Sequence, residues 1–209
     1  MPLTIVDHPL VADRVSRLRD ATTLPPEFRR LTRELAGFLA YEATRDLDTV
    51  VASVRTPLGA PAGGRRVPAP GPVVVPILRA GLGLLDGVLE VLPQAEVGVI
   101  GLRRDEATHR PITYCEKLPD DLAGRPALVI DPMLATGGSL ATACRMVAER
   151  RPAKVLALCL IAAPEGVEHV ERTAGDVHIF TAALDPGLDH RAFITPGLGD
   201  AGDRLFGPA

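Results

Sequence analysis

Tryptophan is missing and aromatic residues make up 3% of the 209-residue chain. A surface that grips single-stranded nucleic acid by stacking bases on rings has too little to build from. Positive charge is not in excess either. Against 26 Asp and Glu stand 23 Lys and Arg, a net charge of −3, which argues against a nucleic acid or an anionic membrane as partner. No apolar run reaches the roughly 18–20 residues that span a bilayer. The opening stretch from Met1 to His8 lacks the basic-then-apolar pattern of a secretory signal. Cysteine is scarce: Cys115, Cys144 and Cys159 are odd in number and far apart, which fits neither a zinc site nor a disulfide framework and leads us to expect a reducing, cytoplasmic setting. None of the five histidines stands at metal-ligand or triad spacing to another candidate. What is left, with 46% hydrophobic and 23% charged residues, suits a globular enzyme.

The chain reads as one domain over residues 1–209, in three parts. Residues 1–72 supply N-terminal helices and an arm: a short helix near 10–20, then a helical pattern from Glu27 to Val54 marked by Phe28, Leu31, Leu35, Phe38, Leu47, Val50, Val51 and Val54. Residues 55–72 hold five prolines and four glycines, so no single regular element fills them. Residues 73–183 alternate strands at 73–77, 97–102, 127–131, 155–162 and 177–183 with helices at 82–92, 139–150 and 165–173. Runs of Val, Ile and Leu between helices indicate an α/β fold with a mainly parallel central sheet flanked by helices. Such sheets take ligands beyond the carboxyl ends of their strands. Residues 184–209 form a glycine-rich tail.

The densest signal is Ala127-Leu-Val-Ile-Asp131-Pro-Met-Leu-Ala-Thr136-Gly137-Gly138-Ser139. A buried strand ends at Asp131 and a short loop delivers Ala135–Ser139 to a helix whose Leu140, Ala143, Cys144 and Val147 share one face. Glycine backbone and a helix N-terminus together favour a phosphate. Asp131 beside it can accept hydrogen bonds from sugar hydroxyls, so the stretch suits a phosphorylated ribose. It is not a Walker A loop, because Gly138 is followed by Ser139 and not by lysine.

A second strand-to-helix junction, Val73-Val-Val-Pro-Ile-Leu-Arg79-Ala-Gly81-Leu-Gly83, places Arg79 where a guanidinium can chelate phosphate or diphosphate oxygens, with two glycines for close backbone approach. Residues 103–118 are densely charged and suit a flap whose Arg104 and Lys117 close over a polyanion, with His109 exposed on it. The tail carries a literal G-x-G-x-x-G at Gly197, Gly199 and Gly202, but no strand–helix unit surrounds it, so a dinucleotide is excluded. Such a loop is better at offering backbone N–H and C=O groups to a flat polar ligand such as a pyrimidine.

Together these segments resemble the uracil phosphoribosyltransferase family, in register from residue 8 to about 207. The resemblance rests on His8-Pro-Leu-Val, Leu39-Ala-Tyr-Glu-Ala-Thr, Pro76-Ile-Leu-Arg-Ala-Gly-Leu-Gly, Lys117-Leu-Pro, Asp131-Pro-Met-Leu-Ala-Thr-Gly-Gly-Ser and Pro196-Gly-Leu-Gly-Asp-Ala-Gly-Asp-Arg. It implies the type I phosphoribosyltransferase fold with a C-terminal base-binding hood and a flexible flap. It also implies an Mg²⁺-dependent reaction of uracil with 5-phospho-α-D-ribose 1-diphosphate, giving UMP and diphosphate in pyrimidine salvage. By the same resemblance the sugar diphosphate is held by Arg79, Arg104, Asp131, Pro132, Met133, Leu134, Ala135, Thr136, Gly137, Gly138, Ser139 and Asp200. Uracil is held by the backbone of Ile194, Gly199, Asp200 and Ala201. Asp200 and Arg104 are the catalytic candidates, no side chain is assigned as a direct Mg²⁺ ligand, and a homodimer or higher homo-oligomer is implied.

Two features differ within this pattern. Asp131 is followed by Pro132 where most type I enzymes have a second acidic residue, which favours the uracil branch over the purine and orotate branches. Tyr114-Cys115 stands where two aromatic residues are usual. A non-catalytic nucleotide sensor of the same fold that binds RNA, and a transferase for another base, are the alternatives. The net charge speaks against the first, and product identification separates the second.

Overall fold

The computed structural model describes residues 3–104 and 111–207, with the backbone alone at Arg104 and Pro111. The chain begins with a short strand β1 (Leu3–Ile5) and two helices, α1 (Pro9–Arg19) and α2 (Pro25–Ala43). Prolines open both helices, at positions where the missing N–H costs nothing, and the His8 side chain caps α1 by accepting from the Leu10 N–H at 3.1 Å. Buried Phe28, Leu31, Leu35 and Leu39 make the inner stripe of α2.

The helical pattern expected up to Val54 stops at Ala43. Thr44 turns its own hydroxyl back to the Ala40 carbonyl at 2.7 Å, and β-branched Val50, Val51 and Val54 then enter a strand. That strand, β2 (Val50–Arg55), pairs antiparallel with β3 (Pro61–Arg66), so much of the Pro/Gly-rich arm is a hairpin.

From Val73 to Leu184 the chain alternates strands and helices as expected, with two strands, Pro111–Lys117 and Met133–Leu134, added to the expected set. It runs β4 (Val73–Leu78), α3 (Leu82–Val91), β5 (Glu96–Val97), β6 (Val99–Arg104), β7 (Pro111–Lys117), β8 (Pro126–Ile130), β9 (Met133–Leu134), α4 (Gly138–Ala148), β10 (Lys154–Ala162), α5 (Pro164–Thr173) and β11 (Val177–Leu184). The expected strand at 97–102 is split at Gly98 into β5 and β6. β12 (Gly187–Leu188) and β13 (Ile194–Thr195) form a small ribbon, and α6 (Ala201–Phe206) closes the chain.

The main sheet runs β1-β11-β10-β8-β4-β6-β7, with β5 added beside β4 and β9 beside β10. All its pairings are parallel except β6 with β7. Strand residues alternate between two cores. Leu128, Ile130, Leu156 and Leu158 join the layer under α1, α2, α3 and α6, while Ala127, Val129, Val155 and Ala157 join the layer under α4 and α5. The central strands β8, β10 and β4 are thus covered on both faces, and their carboxyl ends form one rim. Among the described residues, no helix is long and apolar enough to cross a membrane.

Candidate functional site

Asp131 follows β8 on that rim, its N–H bonded to the Leu158 carbonyl at 3.1 Å. The chain steps aside and pairs again with β10 as β9, Met133 against Ile161 and Leu134 against Ala162. Strand alternation then decides which side chains face out. Pro132 and Leu134 turn into the protein, with the Pro132 carbonyl accepting from the Leu160 N–H at 2.9 Å, whereas Met133 and Ala135 face a cavity. Gly137 adopts φ +81° and caps α4 without a side-chain hydrogen bond. A Cβ there would sit 2.6 Å from the Gly166 carbonyl oxygen, so both the turn and the packing of α4 on α5 require glycine. Ser139 in the first turn of α4 lines the same cavity. The result is a helix N-terminus opening onto a carboxylate, as the sequence suggested.

The second junction converges on it. Arg79 and Ala80 leave β4 through a cis peptide between Leu78 and Arg79 and line the cavity beside Asp131. Gly81, expected to let backbone approach a ligand, instead lets α3 approach the protein, since its Cβ would lie 2.5 Å from the Ile130 carbonyl oxygen. Gly83 packs on Leu205 in the same way.

The opposite wall comes from the tail. Ile194, Gly199, Asp200 and Ala201 line the cavity together with Gly202. The tail is ordered by a short helix. Asp200 caps α6 by accepting from the Asp203 N–H at 2.9 Å, and Leu205 is fully buried against α2 and α3. The cavity encloses about 430 Å³, the low end of the range for a small-molecule site.

Its electrostatics are mixed. Arg79, Asp131 and Asp200 all line it, and so does a second cation, Arg191. Sequence reasoning missed Arg191; the one clue is its place three residues before Ile194. Burial pushes the Asp131 carboxyl up to about 7, opposed by a hydrogen bond from the Met133 N–H. A carboxylate this poorly solvated gains from hydroxyl donors, as on a ribose.

Of the other candidates, the backbone of Thr136 and Gly138 belongs to the cup, while the Arg104 side chain and His109 lie outside the described residues. The flap is a β6–β7 ribbon, and Lys117 pairs with Val99 at its base. Lys117 is therefore at the end of the ribbon away from the tip, and it is not on the cavity wall. Cys144 and Cys159 are buried in the α4–α5 layer, and burial raises both thiols, Cys144 to about 12, so neither is a nucleophile at neutral pH. Among the described residues no three His, Cys, Asp or Glu side chains cluster to hold a metal ion.

Residues 5–208 match the sequence model of a family described as uracil phosphoribosyltransferase. A protein of that name from Kineococcus radiotolerans is 56% identical over 211 residues, covering 99% of each chain. The solved AQ2163 protein of Aquifex aeolicus superimposes with a TM-score of 0.93 at 39% identity, covering 99% of both chains. A hypoxanthine phosphoribosyltransferase from Trypanosoma cruzi shares the fold at a TM-score of 0.52 and 15% identity, over 79% of this chain and 76% of its own.

Proposed function

The chain belongs to the uracil phosphoribosyltransferase family, which forms UMP in pyrimidine salvage, and from that premise we propose how its residues divide the work. The carrying observation is that one cavity joins the Asp131–Ser139 cup to the Ile194–Ala201 backbone loop. The cup takes the 5-phosphate on the first turn of α4, and Asp131 accepts from the ribose hydroxyls. Arg79 and Arg104 hold the diphosphate, and the N–H and C=O groups of Ile194 and Gly199–Ala201 match the edge of uracil.

The reaction is displacement at the anomeric carbon through a transition state with oxocarbenium character. Arg79 and Arg104 offset the charge that develops on the leaving diphosphate, an electrostatic contribution of the kind that usually dominates. The 194–201 loop aligns uracil N1 on the opposite face. Asp200, between the two subsites, either favours loss of the N1 proton or orients the metal. No side-chain nucleophile is required.

The donor set suits Mg²⁺, a hard cation that takes oxygen ligands and is usually held by one or two carboxylates plus substrate phosphates. The cavity wall offers carboxylate oxygens from Asp131 and Asp200 and no thiolate or imidazole among the described residues, its one sulfur being the weakly coordinating thioether of Met133. When bound, the ion would be held mainly through the diphosphate, with Asp200 beside it, and would neutralise charge on the leaving group.

We also place the protein in the cytoplasm and as a homodimer or higher homo-oligomer. Support for self-association is the β2–β3 hairpin, which exposes Val51 at 82% and Leu58 at 95%. Incubating purified protein with uracil, the sugar diphosphate and Mg²⁺ tests the reading. UMP and diphosphate are expected, and inactivity across neutral pH would overturn it.

A further inference from the structure

A loop that recognises a base through its main chain is selective only if its peptide planes cannot turn. This one contains Gly197 at φ +63° and Gly199 at φ +78°, residues that are loose in an unsupported chain. The support comes from two residues that do not line the cavity. The Gly197 N–H donates to Asp185 Oδ2 at 2.9 Å, and the Gly197 carbonyl accepts from Arg19 Nη1 at 2.8 Å. Arg19 in turn grips both Asp185 oxygens, at 2.8 Å from Nη1 and 2.5 Å from Nη2. The peptide groups on either side of Gly197 are thereby closed into a ring with one guanidinium and one carboxylate.

The ring is anchored at both ends. Asp185 is 4% exposed and follows β11, its N–H bonded to the Ala162 carbonyl at 2.8 Å. Arg19 is the last residue of α1. From α6, Arg204 adds a parallel brace: it donates to the Leu198 carbonyl at 2.9 Å, to the Asp20 carbonyl at 2.8 Å and to the Leu18 carbonyl. Residues 197 and 198 are therefore both tied to the end of the N-terminal helix.

We propose that Arg19 and Asp185 are positioning residues for base recognition, setting affinity and selectivity for the pyrimidine through Gly197 without touching it. The proposal rests on the reading that the 194–201 loop holds uracil. A buried ion pair is a weak source of stability, but a planar fork with several donors fixes orientation well. Lysine cannot reproduce this, because one ammonium does not span both Asp185 oxygens and the Gly197 carbonyl in fixed geometry.

The test is steady-state kinetics of two variants with each substrate varied in turn. Arg19→Lys keeps the charge and is expected to raise the uracil KM about tenfold, equivalent to about 1.4 kcal/mol. The KM for the sugar diphosphate should stay within about twofold, and discrimination against cytosine should fall. In Arg19→Met/Asp185→Leu the whole pair is replaced by apolar side chains, which leaves no unpaired charge but removes the partners of the Gly197 N–H and carbonyl. This variant should melt several degrees below the wild type and show the same uracil defect. A wild-type uracil KM in either folded variant overturns the proposal, as does a fall in kcat with both KM values unchanged. Gly199→Ala, at a loop residue on the cavity wall where φ is +78° and an added Cβ meets only Arg204 Cδ at 3.7 Å, separates the two readings. If it leaves the uracil KM unchanged, the loop is not the base site. If it raises that KM while Arg19→Lys does not, the positioning role alone fails.

Discussion

Replacing Gly137 with alanine puts a methyl group at the one point where the phosphate cup, the start of α4 and the start of α5 meet. Two costs can be separated. The backbone is left-handed at φ +81°, which for a residue with a Cβ costs about 1–2 kcal/mol. The new Cβ also lies 2.6 Å from the Gly166 carbonyl oxygen and 3.1 Å from the His169 Cβ. Both neighbours belong to α5, one as backbone, so relief requires moving a helix and not a flexible side chain; overpacking of this kind typically costs about 1–3 kcal/mol. Together they come to about 3 kcal/mol, or a fall in Tm of about 6–12 °C for a chain of this size.

Gly124→Ala is the matched control, since φ there is +76° and nothing lies within 4 Å of the added Cβ. It should lower Tm by only about 2–8 °C. Thermal unfolding of the two variants by circular dichroism gives the difference. Because the same turn aims the first N–H groups of α4, Gly137→Ala should also raise the KM for the sugar diphosphate about tenfold, whereas Gly124→Ala should not. Equal Tm losses, or an unchanged KM, would refute the steric argument.

Further outcomes follow from the site. With the Asp131 carboxyl raised to about 7 in the folded chain from an ordinary 3.8, the folded state holds its proton longer than the unfolded state. The unliganded protein should therefore lose stability as pH rises from about 4 to about 7 and level off above, a slope that melting curves of Asp131→Asn should lack. The ionised carboxylate accepts from two hydroxyls about twice as strongly as the neutral acid, so kcat/KM for the sugar diphosphate should rise with pH through about 7, and Asp131→Asn should abolish that inflection. Asp200→Asn should cut turnover sharply while leaving Tm within about 1 °C, because asparagine caps a helix about as well as aspartate; a wild-type rate would remove Asp200 from the mechanism. Leu58→Asp with Val51→Glu on the arm should shift sedimentation toward monomer at micromolar concentration, and an unchanged assembly would show that the hairpin is not the contact.

What was legible in the sequence follows what is locally encoded. The strands β4, β8, β10 and β11 announce themselves because both of their faces are buried, which leaves uninterrupted Val, Ile and Leu. The hairpin was hidden because Leu47, Val50, Val51 and Val54 satisfy a helical period as well as a strand, and only β-branching argued otherwise. Strand β7 was obscured by the charged run before it and by its opening proline, with only Glu116 and Lys117 charged within it. Helix α6 begins with glycine in its first turn, yet Asp200 with Asp203 at the third helical position is the spacing of a capped start and could have disclosed it. In the site, Arg79, Asp131 and Ser139 were visible because each ends or begins an element. That Pro132 and Leu134 turn inward depends on β9 pairing with β10, and the Arg19–Asp185 ring joins residues 166 apart, so neither leaves a local trace.

Product identification tests the central assignment most directly. Purified protein supplied with the sugar diphosphate and Mg²⁺ is offered uracil, cytosine, hypoxanthine or orotate, and nucleotide and diphosphate are quantified. UMP and diphosphate are expected in equal amounts from uracil, and no nucleotide from the other three. Nucleotide formed from one of those bases and none from uracil would contradict the assignment.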